Sequence, residues 1–323
     1  MFVIKNVRIL DPASATDMVG DIGIDGGKIT AIGTVEAKAE DSILDGKGLV
    51  AAPGLVDTHV HFRDPGLTYK EDIYSGAHAA AAGGFTSVVC MANTKPIADN
   101  PDTISYIVKK GKKTGIHVYT AAAVTKEFDG KNLTDFKELL QAGAIGFTDD
   151  GIPIKDAGIV KSAMEMAAEL DVPISLHEED PDLIERPGVN QGKVSEKLNY
   201  GGAPARSEYE MVQRDCELAL QTRAKTVIQH ISSAETVEAV RQCWKRGGKI
   251  YGEVTPQHFS ATEDLVLEKG ALARVNPPLR TEEDRRAIIE GLKDGTLNII
   301  ATDHAPHSRE EKAKDIKDAP SGM

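Results

Sequence analysis

Short runs of apolar and β-branched residues dominate the first fifty positions of the chain. They occupy residues 2–10, 22–24, 29–32, 42–44 and 49–52, and such runs are typical of β-strands. The second and third runs flank Asp25-Gly26-Gly27, a sequence that favours the tight turn of a hairpin. A sheet of this size is marginal alone, so we predict that residues 1–53 form a small β domain beside a larger one.

The hydrophobic pattern changes after Pro53-Gly54, where apolar runs begin to alternate with amphipathic helical stretches. Eight runs are typical of buried strands, at residues 55–61, 85–91, 116–122, 144–148, 172–177, 226–230, 249–254 and 297–302. Seven helices are predicted between them, at residues 70–82, 101–114, 133–142, 156–170, 207–222, 234–246 and 281–293. The last of these opens with Thr281-Glu282-Glu283-Asp284, a capping-box pattern.

Alternation of apolar strands with helices predicts an α/β fold with a parallel sheet covered by helices. Eight strands in this order indicate a (β/α)₈ TIM barrel over residues 54–323; a doubly wound open sheet is the alternative. Only residues 303–323 follow the last predicted strand, and we expect a loop there. We therefore expect the final barrel helix and the C-terminal part of the small domain to be absent from this chain, and we predict incomplete activity for the chain as it stands.

The composition of the chain argues against several classes of protein. The chain has 38 Lys and Arg against 50 Asp and Glu, a net charge of −12, which argues against nucleic-acid or anionic-membrane binding. The three cysteines fit neither a disulfide scaffold nor a paired-cysteine zinc site. No apolar run reaches the roughly 18 residues of a membrane span, and the N-terminus has no signal-peptide layout. We predict a cytoplasmic protein.

Candidate chemistry lies at the ends of five predicted strands, which carry His59 and His61, Asp149 and Asp150, His177, His230, and Asp303. Residues two apart on a strand point to the same side, so the imidazoles of His59-Val60-His61 can reach one ion. Taken singly, each such histidine is a candidate for a structural role, and adjacent aspartates before glycine are often just a turn. In a barrel, however, these strand ends converge on the active site.

Four histidines and two carboxylates suit zinc or a similar transition metal. Six ligand positions exceed what one tetrahedral zinc uses, so we predict one or two ions, with two favoured and a carboxylate bridging them. Such a set serves attack of metal-activated water on a carbonyl, and Asp303 on the last strand is the candidate for moving the proton. His258, after the seventh strand, is interpreted as structural.

Four segments resemble the signatures of a known family. Residues 53–66, PGLVDTHVHFRDPG, are similar to the metal-binding signature of dihydroorotases, and residues 301–307, ATDHAPH, resemble their second signature. Residues 146–151, GFTDDG, and 275–280, VNPPLR, match as well. The motifs occur in the family's order along essentially the whole chain, and the chain most resembles the bacterial class I branch of the amidohydrolase superfamily.

The resemblance implies a reaction and a set of roles. The reaction is the reversible cyclisation of N-carbamoyl-L-aspartate to (S)-dihydroorotate, a step of de novo pyrimidine synthesis. His59 and His61 would hold the first zinc with Asp303 nearby, and His177 and His230 the second. Asp150 would bridge, preferred over Asp149 for its spacing from His177, and Asp303 would be the general base in hydrolysis and the general acid in cyclisation. Contacts to the small anionic substrate would come from Arg63, Asn93, Asn276, His307, Ser321 and Gly322.

The resemblance also implies that the small domain is a β-sandwich, that the protein forms a homodimer, and that aspartate transcarbamoylase is a candidate partner. Many relatives in the superfamily bridge their metals with a carboxylated lysine at the fourth strand, whereas the nearest lysine here is Lys155, past the turn. This weakens the alternative of a hydantoinase- or allantoinase-like enzyme. A second alternative is a non-catalytic scaffold for aspartate transcarbamoylase; such proteins lose metal ligands, and all six positions are present here.

Overall fold

The computed structural model of the chain describes residues 1–323, which form two compact units, Met1–Leu55 and Val56–Met323. The first unit is a five-stranded sheet of β1 (Phe2–Asp11), β2 (Thr16–Asp25), β3 (Lys28–Gly33), β4 (Ser42–Asp45) and β5 (Val50–Ala51). Strand β2 pairs antiparallel with β1 and β3, whereas β4 and β5 run parallel to β1. All five predicted strands are therefore present.

The predicted hairpin between β2 and β3 is confirmed. Asp25 pairs with Lys28, which leaves Gly26 and Gly27 as a two-residue turn with φ angles of 56° and 75°. Two successive positive φ angles are the requirement of the hairpin turn whose twist matches that of the flanking strands. Glycine meets this requirement without steric cost because it has no Cβ.

Eight strands make up the barrel: β6 (Leu55–Val60), β7 (Phe85–Cys90), β8 (His117–Thr120), β9 (Phe147–Thr148), β10 (Pro173–Leu176), β11 (Lys225–Ile228), β12 (Ile250–Val254) and β13 (Leu297–Ile300). Strands β6 to β8 form one sheet, and β9 to β13 form a second that is parallel throughout. Two parallel bridges, Ala122 to Phe147 and Val60 to His304, join these sheets into a ring. The barrel is confirmed and the open-sheet alternative is wrong.

The barrel helices lie between these strands, with shorter helices in the loops: α1 (Ile73–Ala82), α2 (Pro101–Gly111), α3 (Phe136–Ala142), α4 (Ala157–Glu169), α5 (Lys193–Leu198), α6 (Arg206–Thr222), α7 (Ala234–Lys245), α8 (Pro256–Ser260), α9 (Leu265–Lys269), α10 (Glu282–Asp294) and α11 (Arg309–Lys312). All seven predicted helices are present. The Thr281 hydroxyl accepts a hydrogen bond from the Asp284 amide, so the predicted capping box is confirmed. None of the helices is both long and apolar enough to cross a membrane.

The expectation of a loop alone over residues 303–323 is wrong for one segment. Ser308 caps the short helix α11, its hydroxyl accepting from the Glu311 amide while the Glu311 side chain accepts from the Ser308 amide. This capping box lies in a stretch of mixed charge without hydrophobic periodicity, which is why the apolar pattern did not predict it.

Asp57 joins the first and last strands of the ring. Its Oδ1 accepts from the backbone amides of His59 and Thr302 at 3.2 and 3.1 Å, and its Oδ2 accepts from the Thr302 hydroxyl at 2.6 Å. The side chain is buried, so these bonds form where water does not compete for them. The strand that carries His59 is therefore tied to the segment that leads into Asp303.

Gly76 lets α1 pack directly on Phe62, which follows the predicted metal ligand His61. Both residues are buried, and a Cβ added at Gly76 would lie 2.4 Å from Cδ1 of the Phe62 ring. Real Cβ atoms do not approach a ring this closely, so the contact depends on glycine.

Replacing Gly76 by alanine tests this contact. Alanine normally stabilises a helix interior by about 1 kcal/mol relative to glycine, but overpacking against Phe62 should reverse the sign and cost about 1–3 kcal/mol of unfolding free energy. Denaturant unfolding would measure it. Gly115→Ala is the matched control, because its Cβ would meet no atom within 4 Å and stability should hold or rise. A more stable Gly76→Ala protein would contradict the packing described here.

Candidate metal centre

The carboxyl ends of the barrel strands bring all six predicted metal ligands together. The candidate ligand atoms of His59, His61 and Asp150 lie within 4.8 Å of one another, and so do those of Asp150, His177 and His230. Asp150 is thus shared by two groups of three. Asp303 completes the cluster, with Oδ1 3.0 Å from Nε2 of His61. All six side chains are buried.

His59 is oriented by a carboxylate on the seventh barrel strand. Its Nδ1 lies 2.9 Å from Oε1 of Glu253, which is buried in β12. The same glutamate accepts from the backbone amide of His230 at 3.2 Å and from the hydroxyl of Thr58 at 3.3 Å. A proton on Nδ1 satisfies the bond to Glu253 and leaves the Nε2 lone pair directed at the cluster.

His61 is oriented in the same way by an amide. Its Nδ1 lies 2.9 Å from Oδ1 of Asn93, and Nδ2 of Asn93 donates to Oδ2 of Asp150 at 3.3 Å. The sequence predicts Asn93 as a substrate contact, and it does line the cavity described below. The structure adds that Asn93 bridges two predicted ligands on different strands, so it also sets their relative orientation.

His177 and His230 face Asp150 from the next two strands. Nδ1 of His177 and Nε2 of His230 are 2.9 Å apart, and each lies 3.7 Å from Oδ1 of Asp150. The other ring nitrogen of His177, Nε2, is 3.3 Å from Oε2 of the buried Glu179. A carboxylate behind an imidazole is the common arrangement around metal-binding histidines.

The chemistry of these donors fits a divalent metal ion. Nε2 of His59 is buried and has no hydrogen-bond partner, and an unpaired buried nitrogen is costly unless a ligand takes up its lone pair. Burial by itself raises the pKa of Asp150, but the adjacent His59, His177 and His230 outweigh it and hold that pKa well below its usual range. A metal ion binds a carboxylate in its charged form, so the lowered pKa agrees with the predicted role of Asp150.

Asp149 and Asp150 have opposite environments. The Asp149 side chain points away from the cluster, where Oδ1 accepts from the amides of Val124 and Thr125 at 2.7 and 3.1 Å, and Oδ2 accepts from the Thr125 hydroxyl. Burial raises the pKa of Asp149 to about 6 despite these bonds. Asp149 therefore anchors the loop after β8, and Asp150 alone lies among the histidines.

One cavity of about 170 Å³ contains the predicted substrate contacts together with most of the cluster. Its walls include all six predicted contacts, Arg63, Asn93, Asn276, His307, Ser321 and Gly322. Oδ1 of Asn276 is buried and has no partner, so it is a free acceptor at this cavity. His59 lies behind the wall and does not line the cavity.

His258 holds the backbone beside Asn276. Its Nε2 lies 3.0 Å from the carbonyl oxygen of Pro277, and its Nδ1 lies 2.7 Å from the hydroxyl of Thr255. Burial lowers the pKa of His258 to about 4, so the ring is neutral and both nitrogens are satisfied. This arrangement agrees with the structural interpretation of His258.

Two residues that orient the cluster were missed by sequence reasoning. Glu253 sits at the end of an apolar strand, so the strand-end argument that selected the histidines would also have selected it. Glu179 lies two residues beyond His177, outside β10, and its direction could not be deduced from the alternation of side chains along a strand.

Paired substitutions distinguish the two neighbouring aspartates. Asp150→Asn removes a charged ligand shared by both groups, so we expect loss of bound metal, measured by elemental analysis after dialysis. Asp149→Asn should keep its metal but lose about 1–3 kcal/mol of unfolding free energy, since buried backbone amides lose a charged acceptor. Each variant is the control for the other, and metal loss in Asp149→Asn alone would reverse the assignment.

Glu253 offers a second test of the cluster. Glu253→Ala leaves Nδ1 of His59 without its acceptor, and loss of such a partner typically weakens metal affinity by about 10–100-fold. Chelator competition for Zn²⁺ would measure the change. Glu253→Gln retains an acceptor oxygen and should lose less. Parent-like affinity in Glu253→Ala would show that His59 needs no such support.

Comparison with known proteins agrees with this geometry. A family model described as dihydro-orotase-like matches residues 47–236. Proteins named dihydroorotase from Clostridioides difficile and Streptococcus thermophilus are 55% and 52% identical to the chain over its full length, which corresponds to 77% of each of those proteins. One from Lactococcus lactis is 53% identical over 99% of the chain and 76% of that protein.

Among solved structures, an L-hydantoinase from Arthrobacter aurescens superposes with a TM-score of 0.85 at 23% identity, covering 99% of this chain and 73% of the other. A D-hydantoinase gives 0.83 at 23% identity with the same coverage. At this identity the likeness concerns the fold alone, and it agrees with the barrel. The full-length identity to the named proteins, together with the match to the family model, establishes that this chain belongs to the dihydroorotase family.

Proposed function

We propose that this protein is a zinc-dependent dihydroorotase, which interconverts N-carbamoyl-L-aspartate and (S)-dihydroorotate in pyrimidine biosynthesis. The observation that carries the proposal is that one cavity is lined both by five of the six cluster residues, all but His59, and by Arg63. The cluster suits hydrolysis of a cyclic amide, and Arg63 suits a substrate that bears a carboxylate. A neutral ring such as hydantoin would make no use of that cation.

Two zinc ions are the favoured complement. His59 and His61 would hold one with Asp303 nearby, His177 and His230 the other, and Asp150 would bridge them. An ion bound in such a site lowers the pKa of water and polarises a carbonyl oxygen. This proposal is supported by the two overlapping groups of donor atoms that share Asp150.

Asp303 is the proposed proton carrier. In hydrolysis its carboxylate takes a proton from the attacking water and delivers it to the departing ring nitrogen; in cyclisation the same proton travels in reverse. His59 and His61 lower the pKa of Asp303 against the opposing effect of burial, so the carboxylate is charged and able to accept. The backbone at Asp303 has φ 50°, a turn that directs its side chain into the cluster.

The remaining wall residues would bind and orient the substrate. Arg63 donates through Nε to the carbonyl of Pro306 at 3.1 Å, which positions the guanidinium and leaves its terminal nitrogens for the substrate carboxylate. The unpaired Oδ1 of Asn276 would accept an N–H of the ring. Asn93, His307, Ser321 and Gly322 would complete the contacts.

The proposal also covers the oligomeric state, location, partner and domain division of the protein. We include a homodimer, a cytoplasmic location and association with aspartate transcarbamoylase, all implied by the family resemblance. The division into residues 1–53, as part of a β-sandwich, and residues 54–323, as the catalytic barrel, belongs to the same proposal.

Steady-state assays test the activity. The metal-replete protein should hydrolyse dihydroorotate and also run the reverse reaction. Removal of zinc by a chelator should abolish both, and added Zn²⁺ should restore them. Asp303→Asn should lower kcat by about 10²–10⁴-fold, since general acid–base catalysis contributes about that much.

Hydantoin and allantoin are the control substrates. Turnover of either one without turnover of dihydroorotate would overturn the proposal in favour of another cyclic amidohydrolase. A protein that binds no zinc and turns over none of the three would support the non-catalytic alternative.

A further inference from the structure

Lys70 lies beside the substrate cavity, in the loop before α1, and its side chain is only 11% exposed. Its ammonium nitrogen is 3.1 Å from Nδ1 of His307 and 3.2 Å from Oε1 of Glu311. A buried ammonium requires partners of this kind, because removing it from water without them is costly. Neither the metal cluster nor the proposed proton transfer accounts for this lysine.

The contact with Lys70 decides where His307 carries its proton. An ammonium group donates and cannot accept, so Nδ1 of His307 must be the acceptor and carry no proton. The other nitrogen, Nε2, lies 2.8 Å from the carbonyl oxygen of Ser321, which can only accept. Both bonds are satisfied together only when His307 is neutral and protonated on Nε2.

The charges around His307 act in the same direction. Burial, together with the positive charges of Arg63 and Lys70, lowers the pKa of His307 to about 4. Glu311, whose Oε2 is 3.7 Å from Nδ1, opposes this effect but is itself paired with Lys70.

Glu311 holds Lys70 in position. Its Oε1 also accepts from the hydroxyl of Tyr69 at 3.1 Å, and its Oε2 accepts from the amide of Ser308 at 2.9 Å. These donors, with Lys70, hold the pKa of Glu311 at about 2 against the effect of burial. The helix α11 therefore presents a fixed carboxylate to Lys70.

The proton on Nε2 of His307 prevents that nitrogen from accepting a hydrogen bond from Arg63. The terminal nitrogen Nη2 of Arg63 lies 3.5 Å from Nε2 of His307, but two donors cannot bond to each other. Because Nε2–H is directed at Ser321, His307 offers Arg63 no acceptor. The terminal N–H groups of Arg63 stay available for an anion in the cavity.

We propose that Lys70 is a positioning residue for the carboxylate-binding part of the cavity, acting through His307 on the Ser321–Gly322 backbone and on Arg63. This inference rests on the proposed function, because it assigns the carboxylate of the substrate to Arg63. Lys70 thereby fixes the orientation of the pocket before the substrate binds. Lys70 itself touches none of the reacting atoms.

Kinetics of four variants test the proposal. Lys70→Met should raise KM for dihydroorotate by about tenfold or more, as expected for one lost interaction near 1.4 kcal/mol, while kcat changes little because the metal cluster is untouched. Lys70→Arg restores a donor and should recover most of the KM. Glu311→Gln should fall between the two. Lys225→Met is the matched control, since Lys225 pairs with Asp171 at the amino end of β11 and should behave like the parent.

Long-range ¹H–¹⁵N spectra of the zinc-loaded protein report the tautomer and charge of the His307 ring. A purely structural role of Lys70 would leave both unchanged. The His307 resonances are assigned by their loss in His307→Gln. In the parent they should show a neutral ring protonated on Nε2 at neutral pH. In Lys70→Met they should shift towards a mixture of tautomers or the charged ring, and in Lys70→Arg they should resemble the parent.

These experiments distinguish failure of the proposed role of Lys70 from failure of the proposed dihydroorotase activity. An unchanged KM together with unchanged His307 resonances in Lys70→Met overturns the role of Lys70 and leaves the proposed function intact. If the parent does not turn over dihydroorotate, the proposed function is wrong, and the spectra alone then decide whether Lys70 sets the proton of His307. A charged His307, or one protonated on Nδ1, in the parent would also overturn the proposal.

Discussion

The 2.9 Å hydrogen bond between Nδ1 of His59 and Glu253 determines which nitrogen of a fully buried imidazole faces the cluster. Glu253 also receives the backbone amide of His230 and the hydroxyl of Thr58, so one carboxylate orients residues on two other strands. Buried polar groups must be paired, because an unpaired one costs its full desolvation free energy. Three of the histidines have such a partner outside the cluster: His59 has Glu253, His61 has Asn93 and His177 has Glu179.

The same requirement explains the unusual backbone around the site. Arg63, His230 and Asp303 all have positive φ angles, between 34° and 58°, each shortly after the end of a barrel strand. Such conformations cost of order 1–3 kcal/mol for residues with a Cβ. They persist because neighbouring hydrogen bonds, including that from the His230 amide to Glu253, hold the backbone in place. The sharp turn lets these side chains enter the cavity instead of continuing along the strand.

Charge is arranged on two scales. The chain as a whole has a net charge of −12, which does not favour the approach of an anion. At the cavity, individual charges matter more than the net charge of the chain. The Lys70 ammonium is paired with the Glu311 carboxylate, whereas Arg63 has no carboxylate in contact, so its positive charge is available to an anion. Burial and the two positively charged side chains lower the pKa of His307, and its hydrogen bonds to Lys70 and Ser321 direct the proton on Nε2.

The sequence contained enough to predict the barrel, since all eight strands and seven major helices follow from hydrophobic periodicity and capping residues. It was less informative about α11, whose four residues have no apolar face, and about helix starts such as Ile73, which Asp72 determines by capping. Periodicity reports burial, and short polar helices are stabilised by caps and contacts that leave no periodic signal.

For the site, too, the sequence predicted some features and left others to the tertiary structure. The residue types and their strand-end positions were enough to identify His59, His61, Asp150, His177, His230 and Asp303 as a group, because a parallel barrel necessarily brings those ends together. Only the tertiary structure decided which nitrogen of each histidine faces inward and which of the two adjacent aspartates enters the cluster. It alone also placed Glu253 against His59 and Lys70 against His307. These properties depend on hydrogen bonds between residues up to some two hundred and forty positions apart, such as His61 and Asp303, and their geometry is set by packing rather than by any local pattern.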